Sequence, residues 1–221
     1  MKIGKILLVI TILLIGFFVR CYKINGPIAD WHSFRQADTA SVTRNYLNNG
    51  LDLLRPTYHD LSNIQSGQEN PHGYRMVEFP IYNYLSLSVH HLLTFFNQDI
   101  TIEFSSRITS ILASLIAGVF LYLFAFKLTK SFLASIIVLS VYLFLPFNIY
   151  YSRAILPEST ANMFMVCAIY FFNINVIISA IFFALAILVK PYTSLLAFPL
   201  LAYFSYLKLS KGNFKINFVK N

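Results

Sequence analysis

Long apolar runs alternate with polar segments along this chain. The apolar runs cover Ile6 to Val19, about Ile108 to Phe126, Phe132 to Tyr150, and Thr160 to Leu207, the last interrupted at Asn173–Asn175 and at Lys190-Pro191. A run of roughly 17 to 25 apolar residues spans a bilayer as a helix. The first run predicts a transmembrane helix over about 4–22, and no small-residue cleavage site follows it. The last run predicts three short helices, with two longer ones left open.

A polar segment of about 80 residues separates the first two apolar runs. Gly26-Pro27 breaks the chain, Asp30 or Ser33 can cap a new helix, and Asn49-Gly50 can end it. The predicted apolar side of this helix consists of Phe34, Ala37, Ser41 and Leu47. Its predicted polar side carries Arg35, Asp38 and Thr39. From Asp52 to Glu78 the composition indicates irregular, solvent-facing structure.

The stretch from Phe79 to Phe96 is an apolar helix with one polar stripe. The stripe is formed by residues three or four apart, namely Asn83, Ser86, His90, Thr94 and Asn97. Such a helix is expected to lie in the membrane interface and not to cross. Lys127 and Lys130 then share a side with Lys2 and Lys5, as the positive-inside tendency requires.

Composition places the chain among membrane proteins, with 57% hydrophobic and 12% charged residues and a mean hydropathy of +0.63. We expect an all-α polytopic membrane protein with about six transmembrane helices, forming one domain in the plasma or inner membrane. Its parts are the first transmembrane helix over about 4–22, an extracytoplasmic loop with amphipathic interfacial helices over about 23–106, the remaining helices over about 107–207, and a basic cytoplasmic tail over 208–221. The net charge of +8 comes from scattered Lys and Arg without a basic stripe, so we expect no nucleic-acid partner.

The acidic residues are concentrated in two places. Eight of the nine lie between Asp30 and Glu103, and Glu158 stands alone in the string YSRAILPEST. Carboxylates supply proton transfer and cations bind anions, so these residues suggest a site. Its candidate members are Asp30, Arg35, Asp38, Glu78, Arg153, Glu158 and Lys190.

Four of these candidates also have a structural explanation. Arg35 and Asp38 are spaced for a surface ion pair on one helical turn. Glu158 follows a proline and can meet the dipole of the next helix. Lys190 can anchor a helix end at the interface. The residue pattern leaves these alternatives open.

Several strings in order resemble the GT-C membrane glycosyltransferases. They are ADWHSFRQADTASVTRNYLNNGLDLLRP after the first predicted helix, then EFPIYNYLSLSVHHLLTFF, SSRITSILASLIAGVFLYLFAFKL, YYSRAILPEST and ALAILVKPYTSLL. The nearest group in appearance is that of the protein O-mannosyltransferases (dolichyl-phosphate-mannose-protein mannosyltransferases) and the lipid A aminoarabinose transferases. The acidic pair found in those relatives falls near Arg35-Gln36 here. Because such relatives continue through further helices, the resemblance implies an N-terminal portion, with a truncated product or a minimal module left open.

The resemblance implies an enzyme that moves a sugar from a polyprenyl-phosphate donor to a glycan, lipid or protein acceptor at the outer face of the membrane. It implies Asp38 as the catalytic base, with Asp30 in reserve. Arg35, Arg153 and Lys190 would bind the donor phosphate. Glu78 and Glu158 would shape the site or hold a divalent metal.

An alternative from another class is a non-catalytic membrane protein that binds a lipid-linked sugar or partner helices. It predicts donor binding without turnover. Besides the sugar donor and its acceptor, the partners expected for either function are membrane lipids.

Overall fold

The computed structural model describes residues 2–64, 67–172, 174–196, 198–199 and 202. This part is all-helical, with eight α-helices and one short 3-10 helix. The α-helices are α1 (Lys2–Arg20), α2 (Ser33–Asn49), α3 (Ile81–Thr94), α4 (Ile102–Thr129), α5 (Phe132–Phe144), α6 (Pro146–Tyr151), α7 (Glu158–Phe171) and α8 (Val176–Val189), and the 3-10 helix is Pro191–Leu196.

Two of the helices are long and apolar enough to cross a membrane, within the described part of the chain. They are α1, through Ile3–Arg20, and α4, through Ile102–Thr129. Two further helices, α5 and α8, are apolar but have only 13 and 14 residues. The run predicted over Phe132 to Tyr150 is split at Leu145-Pro146, because the proline begins α6.

The helices form a bundle in which α4 packs against α3, α5 and α7, and α7 packs against α8. The turns between α4 and α5 and between α7 and α8 are short, so neighbouring helices run in opposite directions. At one end of the bundle, Lys5 lies over the ring of Phe132 and Lys127 over that of Tyr170. At the other end lie α2, α3 and the segment 152–157.

Two of the predicted interruptions of the last apolar run are present. Helix α7 ends before Asn175, whose side chain accepts hydrogen bonds from the first turn of α8, and α8 ends before Lys190. Two short helices are therefore confirmed. The third predicted helix and the tail 208–221 lie outside the described residues.

Helix α2 begins and ends close to the predicted residues, but its predicted faces are wrong. Phe34, Ala37 and Leu47 are exposed. The buried side contains Gln36, Thr39, Ala40, Ser41, Val42, Thr43 and Tyr46. Its polar members meet polar groups, such as the Asn83 side chain on α3 and the backbone amide of Ile155, while Ala40 and Val42 pack in small apolar clusters. The helix starts after His32, which adopts a left-handed conformation (φ 59°), and not at a capping side chain.

The first three residues of the polar stripe, Asn83, Ser86 and His90, face inward, whereas Asn97 lies beyond α3 and is exposed. Asn83 is 6% exposed and donates to the Thr39 carbonyl at 2.7 Å and to Thr43 Oγ1 at 3.0 Å. His90 is 7% exposed, with Nδ1 3.1 Å from Ser105 Oγ on α4. Hydrogen bonds thus join α3 to its neighbours.

The predicted outer loop ends near residue 101, where α4 begins, and not at 106.

Candidate functional site

Four charged side chains from distant parts of the sequence form one continuous set of ion pairs. Arg35 on α2 contacts Glu78 before α3, with Nη2 2.7 Å from Oε1 and 2.5 Å from Oε2. Lys190 after α8 lies 3.4 Å from Glu78 Oε2 and 3.0 Å from Glu158 Oε1. We call Arg35, Glu78, Lys190 and Glu158 the charge relay. The structure thus brings together four of the seven candidate residues.

Most of the charge relay is shielded from solvent. The side chains of Glu78 and Lys190 are each 12% exposed and that of Arg35 is 19% exposed, whereas Glu158 remains 35% exposed. Ion pairs with so little exposure are less screened by water than surface pairs. Lys190 is therefore no snorkelling anchor, and Arg35 does not form the surface pair with Asp38 that its spacing allowed.

Local structure explains why these four side chains meet. Helices α3 and α7 both begin after a proline, Pro80 and Pro157, and Glu158 is the first residue of α7, where its charge also favours the helix dipole. The amide of Phe79 donates to the Leu188 carbonyl at the end of α8, at 3.1 Å. This bond holds the residue after Glu78 against the residues before Lys190.

Asp38 lies one turn further along α2 and has a different partner. Its Oδ2 is 2.9 Å from Arg75 Nη1, and the guanidinium of Arg75 also lies 5.0 Å from the centroid of the Tyr58 ring. Burial raises the pKa of Asp38, while the charge of Arg35 lowers that pKa and the charge of Asp60 raises it further. Arg75 was not predicted, because it lies in an irregular segment without a helical register that could place it.

Asp30 is held by Gln36, a residue that the sequence did not single out. Gln36 is fully buried, and its Nε2 donates to Asp30 Oδ1 at 2.7 Å and to the Trp31 carbonyl at 3.1 Å. Its Oε1 accepts from the amide of Ile155 at 3.0 Å. One amide side chain therefore ties the start of α2 to the loop before Glu158.

A cavity of about 420 Å³ opens beside the charge relay. Its polar lining includes His32, Arg35, Tyr151, Glu158, Asn162 and Tyr192. We call it the polar cavity. Asp38 is not among the residues that line it, whereas Arg35, one turn earlier on α2, is.

An apolar groove of about 520 Å³ lies along α5 and adjoins the polar cavity. The two share Phe147 and Asn148. The groove is lined by apolar side chains that are widely exposed, including Ile137 at 53% and Val141 at 60%. A polar recess joined to an apolar groove suits a ligand with a polar head and a hydrocarbon tail.

Arg153 lies apart from the charge relay. It donates to the Tyr22 carbonyl, and its guanidinium lies 5.5 Å from the Tyr22 ring centroid and 5.7 Å from that of Tyr150. It lines a separate cavity of about 300 Å³ together with Asp30. The structure therefore does not bring Arg153 together with Arg35 and Lys190.

The carboxylates Glu78 and Glu158 face Lys190 from two directions. Among the described residues, no group of three or more His, Cys, Asp or Glu side chains is arranged to hold a metal ion. Lys190 occupies the position between Glu78 and Glu158. Of the two roles suggested for this pair, shaping the site is therefore the one that fits the geometry.

Comparison of the chain with protein-family models, with curated proteins and with solved structures finds no match.

Proposed function

We propose that this chain is a membrane glycosyltransferase, or the N-terminal part of one, that takes a sugar from a polyprenyl-phosphate donor at the extracytoplasmic face. One observation carries this proposal: the charge relay lies beside a polar cavity that shares a wall with an apolar groove. Charged groups, hydroxyl-binding side chains and an apolar channel are the three features that a lipid-linked sugar requires.

Charge asymmetry along the bundle supports the orientation. Lys5, Lys127 and Lys130 lie at the end of the bundle where α1 begins and α4 ends. All nine acidic residues lie at the opposite end, eight of them between Asp30 and Glu103 and the ninth at Glu158. Positive residues favour the cytoplasmic side. In the proposed arrangement α1 and α4 each span the membrane. The pair α5–α6, then α7 and α8, provide the remaining crossings, and the polar cavity opens to the outside.

The proposed ligand position follows the shape of the two recesses. The sugar lies in the polar cavity, where Asn162 and the hydroxyls of Tyr151 and Tyr192 can bond its hydroxyl groups. The prenyl tail lies in the apolar groove, whose exposed side chains would otherwise face lipid. The phosphate lies between them, within reach of Arg35 at the cavity wall.

The proposed chemistry is an inverting displacement. The acceptor oxygen attacks the anomeric carbon, the bond from that carbon to the phosphate oxygen breaks, and polyprenyl phosphate leaves with the electron pair. The acceptor proton passes to a carboxylate, for which Asp38 is the first candidate and Asp30 the reserve. Burial makes Asp38 a better proton acceptor by raising its pKa. Because phosphate is a tolerable leaving group, no second acid is needed, unlike in glycoside hydrolysis.

A second candidate function is binding of the lipid-linked sugar without turnover. It is favoured by the state of the charged groups, because Arg35 and Lys190 are already neutralised by two carboxylates and Asp38 is paired with Arg75. This function predicts that the donor binds and is not consumed.

Native mass spectrometry of the chain purified in mild detergent tests the donor site. We expect a co-purifying polyprenyl phosphate or polyprenyl-phosphate sugar, whose mass identifies the sugar. The variant Arg35→Met should lose about tenfold in affinity for the carrier lipid, as expected for one charge-assisted hydrogen bond, whereas Lys130→Met at the other end of the bundle should not. A well-folded preparation without any carrier lipid, even after the lipid is added, would contradict both candidate functions.

A further inference from the structure

We propose that the cavity lined by Lys23, Arg107 and Arg153 is an oxyanion site, separate from the polar cavity, that takes a phosphomonoester or another doubly charged oxyanion. We call it the basic cavity. It has a volume of about 300 Å³ and lies between the segment after α1 and the first turns of α4. This inference does not rest on the proposed glycosyl transfer.

The basic cavity carries an uncompensated positive charge. Four cations line it, Arg20, Lys23, Arg107 and Arg153, and Asp30 is the carboxylate that lines it. None of the four cations forms an ion pair with a carboxylate among the described residues. The charge relay, by contrast, contains two cations and two carboxylates. Four positive charges against one negative charge leave an excess of three at this cavity, which attracts anions.

Neutral groups hold the arginines in place and leave their charge intact. Arg107 donates from Nη1 to the Ile24 and Gly26 carbonyls, both at 2.6 Å, and from Nη2 to the Pro27 carbonyl at 3.2 Å. Arg20 is fully buried and donates to Ser152 Oγ at 2.6 Å and to two backbone carbonyls. Carbonyl partners satisfy hydrogen bonds and do not cancel charge. The positive groups are therefore fixed before any anion arrives.

Donors remain free to meet an anion. A guanidinium has five N–H groups; Arg107 uses three of them on carbonyls and Arg153 uses one on the Tyr22 carbonyl. Lys23 is exposed, and its Nζ lies 5.4 Å from the Tyr22 ring centroid. These groups combine the fork geometry and the point charge that proteins use for phosphate.

The two cavities are separate recesses. Asp30 and Arg153 line the basic cavity, whereas the neighbouring residues His32 and Ser152 line the polar cavity. Between them the amide of Trp31 donates to the Tyr150 hydroxyl at 2.8 Å. An anion in the basic cavity can thus bind beside an occupied polar cavity.

A purely structural explanation is that the arginines only clamp the segment after α1 onto α4. It applies to Arg20, Arg107 and Arg153, which donate to backbone carbonyls, and not to Lys23, whose side chain donates to no carbonyl in the described part of the chain. Lys23 and Lys130 form a matched pair for a test, since both are exposed and both have a left-handed backbone, with φ of 53° and 54°. Asn tolerates that conformation without the charge.

The test is titration of the full chain in detergent with inorganic phosphate, followed by the fluorescence of Trp31, the sole tryptophan. We expect saturable binding that weakens with salt, that falls about tenfold in Lys23→Asn and is unchanged in Lys130→Asn. Arg153→Gln should lose binding and Arg153→Lys should retain most of it. Equal phosphate binding by Lys23→Asn and Lys130→Asn would overturn the site. So would a wild-type chain that binds neither inorganic phosphate nor phosphatidic acid saturably.

A second arm distinguishes the source of the phosphate. The chain is placed in nanodiscs of phosphatidylcholine with or without phosphatidic acid, and the phosphate titration is repeated. If the site takes a lipid headgroup, phosphatidic acid displaces inorganic phosphate in the wild-type chain and not in Lys23→Asn. If it takes a free anion, phosphatidic acid has no effect. The variant Arg35→Met, which should lose polyprenyl-phosphate binding, should leave this phosphate titration unchanged, and that result separates this site from the proposed donor site.

Discussion

Arg35 and Glu78, 43 residues apart in sequence, form an ion pair in which one guanidinium nitrogen contacts both carboxylate oxygens, at 2.7 and 2.5 Å. Lys190 contacts the same carboxylate from the other side, at 3.4 Å. Glu78 is therefore the common partner of two cations that come from α2 and from the end of α8. The integrity of the charge relay depends on this one carboxylate.

The variant Glu78→Gln should destabilise the fold and weaken donor binding. Removing the carboxylate leaves Arg35 and Lys190 without their shared counter-charge in a site that is only 12–19% exposed. We expect a loss of about 2 kcal/mol in unfolding free energy, measured by thermal unfolding in detergent. Glu69→Gln, at an exposed acidic residue, is the control. Equal stability of the two variants would show that the charge relay contributes nothing to the fold.

Asp38 should give stability a pH dependence of a defined sign. Burial raises its pKa above the usual 3.8, so the folded chain binds its proton more tightly than the unfolded chain. The stability that Asp38 contributes is therefore fully present below about pH 3.8 and is lost as the pH rises through the raised pKa. Relative to Asp38→Asn, the wild-type chain should lose stability over that window. If the wild-type chain instead becomes more stable relative to Asp38→Asn as the pH rises, the raised pKa is contradicted.

The sequence predicted the helical class, the first helix, the bounds of α2 and the two short helices α7 and α8. It did so because apolar runs, Gly50 and Pro191 mark boundaries locally. It failed on the faces of α2, where Thr39 and Gln36 are buried among polar partners that only the tertiary structure supplies. The same reason applies to Asn83 and His90 on α3.

The candidate site was predicted in its charges and not in its pairing. Arg35 was recognised on the predicted polar side of α2, and Glu78, Glu158 and Lys190 as isolated charges beside apolar stretches. Which carboxylate meets which cation depends on how α2, α3 and α8 pack. For this reason Asp38 has the unpredicted partner Arg75, and Arg153 lies in another cavity.

Gln36 should be more important to the fold than its neighbours on α2. Gln36→Ala leaves the buried amide of Ile155 and one oxygen of Asp30 without their partner. An unsatisfied buried donor costs about 1–3 kcal/mol, so we expect a clear fall in the midpoint of thermal unfolding. Gln98→Ala at an exposed position should have no effect. If both variants unfold alike, Gln36 does not tie α2 to the loop before Glu158.

The proposed orientation predicts the labelling of single cysteines from outside the cell. In a Cys21→Ala, Cys167→Ala background, Ser62→Cys lies in the polar segment and Thr129→Cys lies at the end of α4 near Lys130. An impermeant maleimide should label Ser62→Cys in intact cells. It should label Thr129→Cys only after the membrane is opened. The reverse pattern would place the polar cavity in the cytoplasm.

Turnover of a polyprenyl-phosphate sugar by the purified chain in liposomes tests the central claim most directly. The donor is the one identified by mass spectrometry, carrying a radiolabelled sugar, and the readout is loss of label from the lipid to an added acceptor or to water. We predict release of polyprenyl phosphate by the wild-type chain, about 100-fold slower in Asp38→Asn, as expected for loss of a general base, with donor binding preserved. Binding without turnover would establish the non-catalytic function, and neither binding nor turnover by the folded chain would contradict the proposed function altogether.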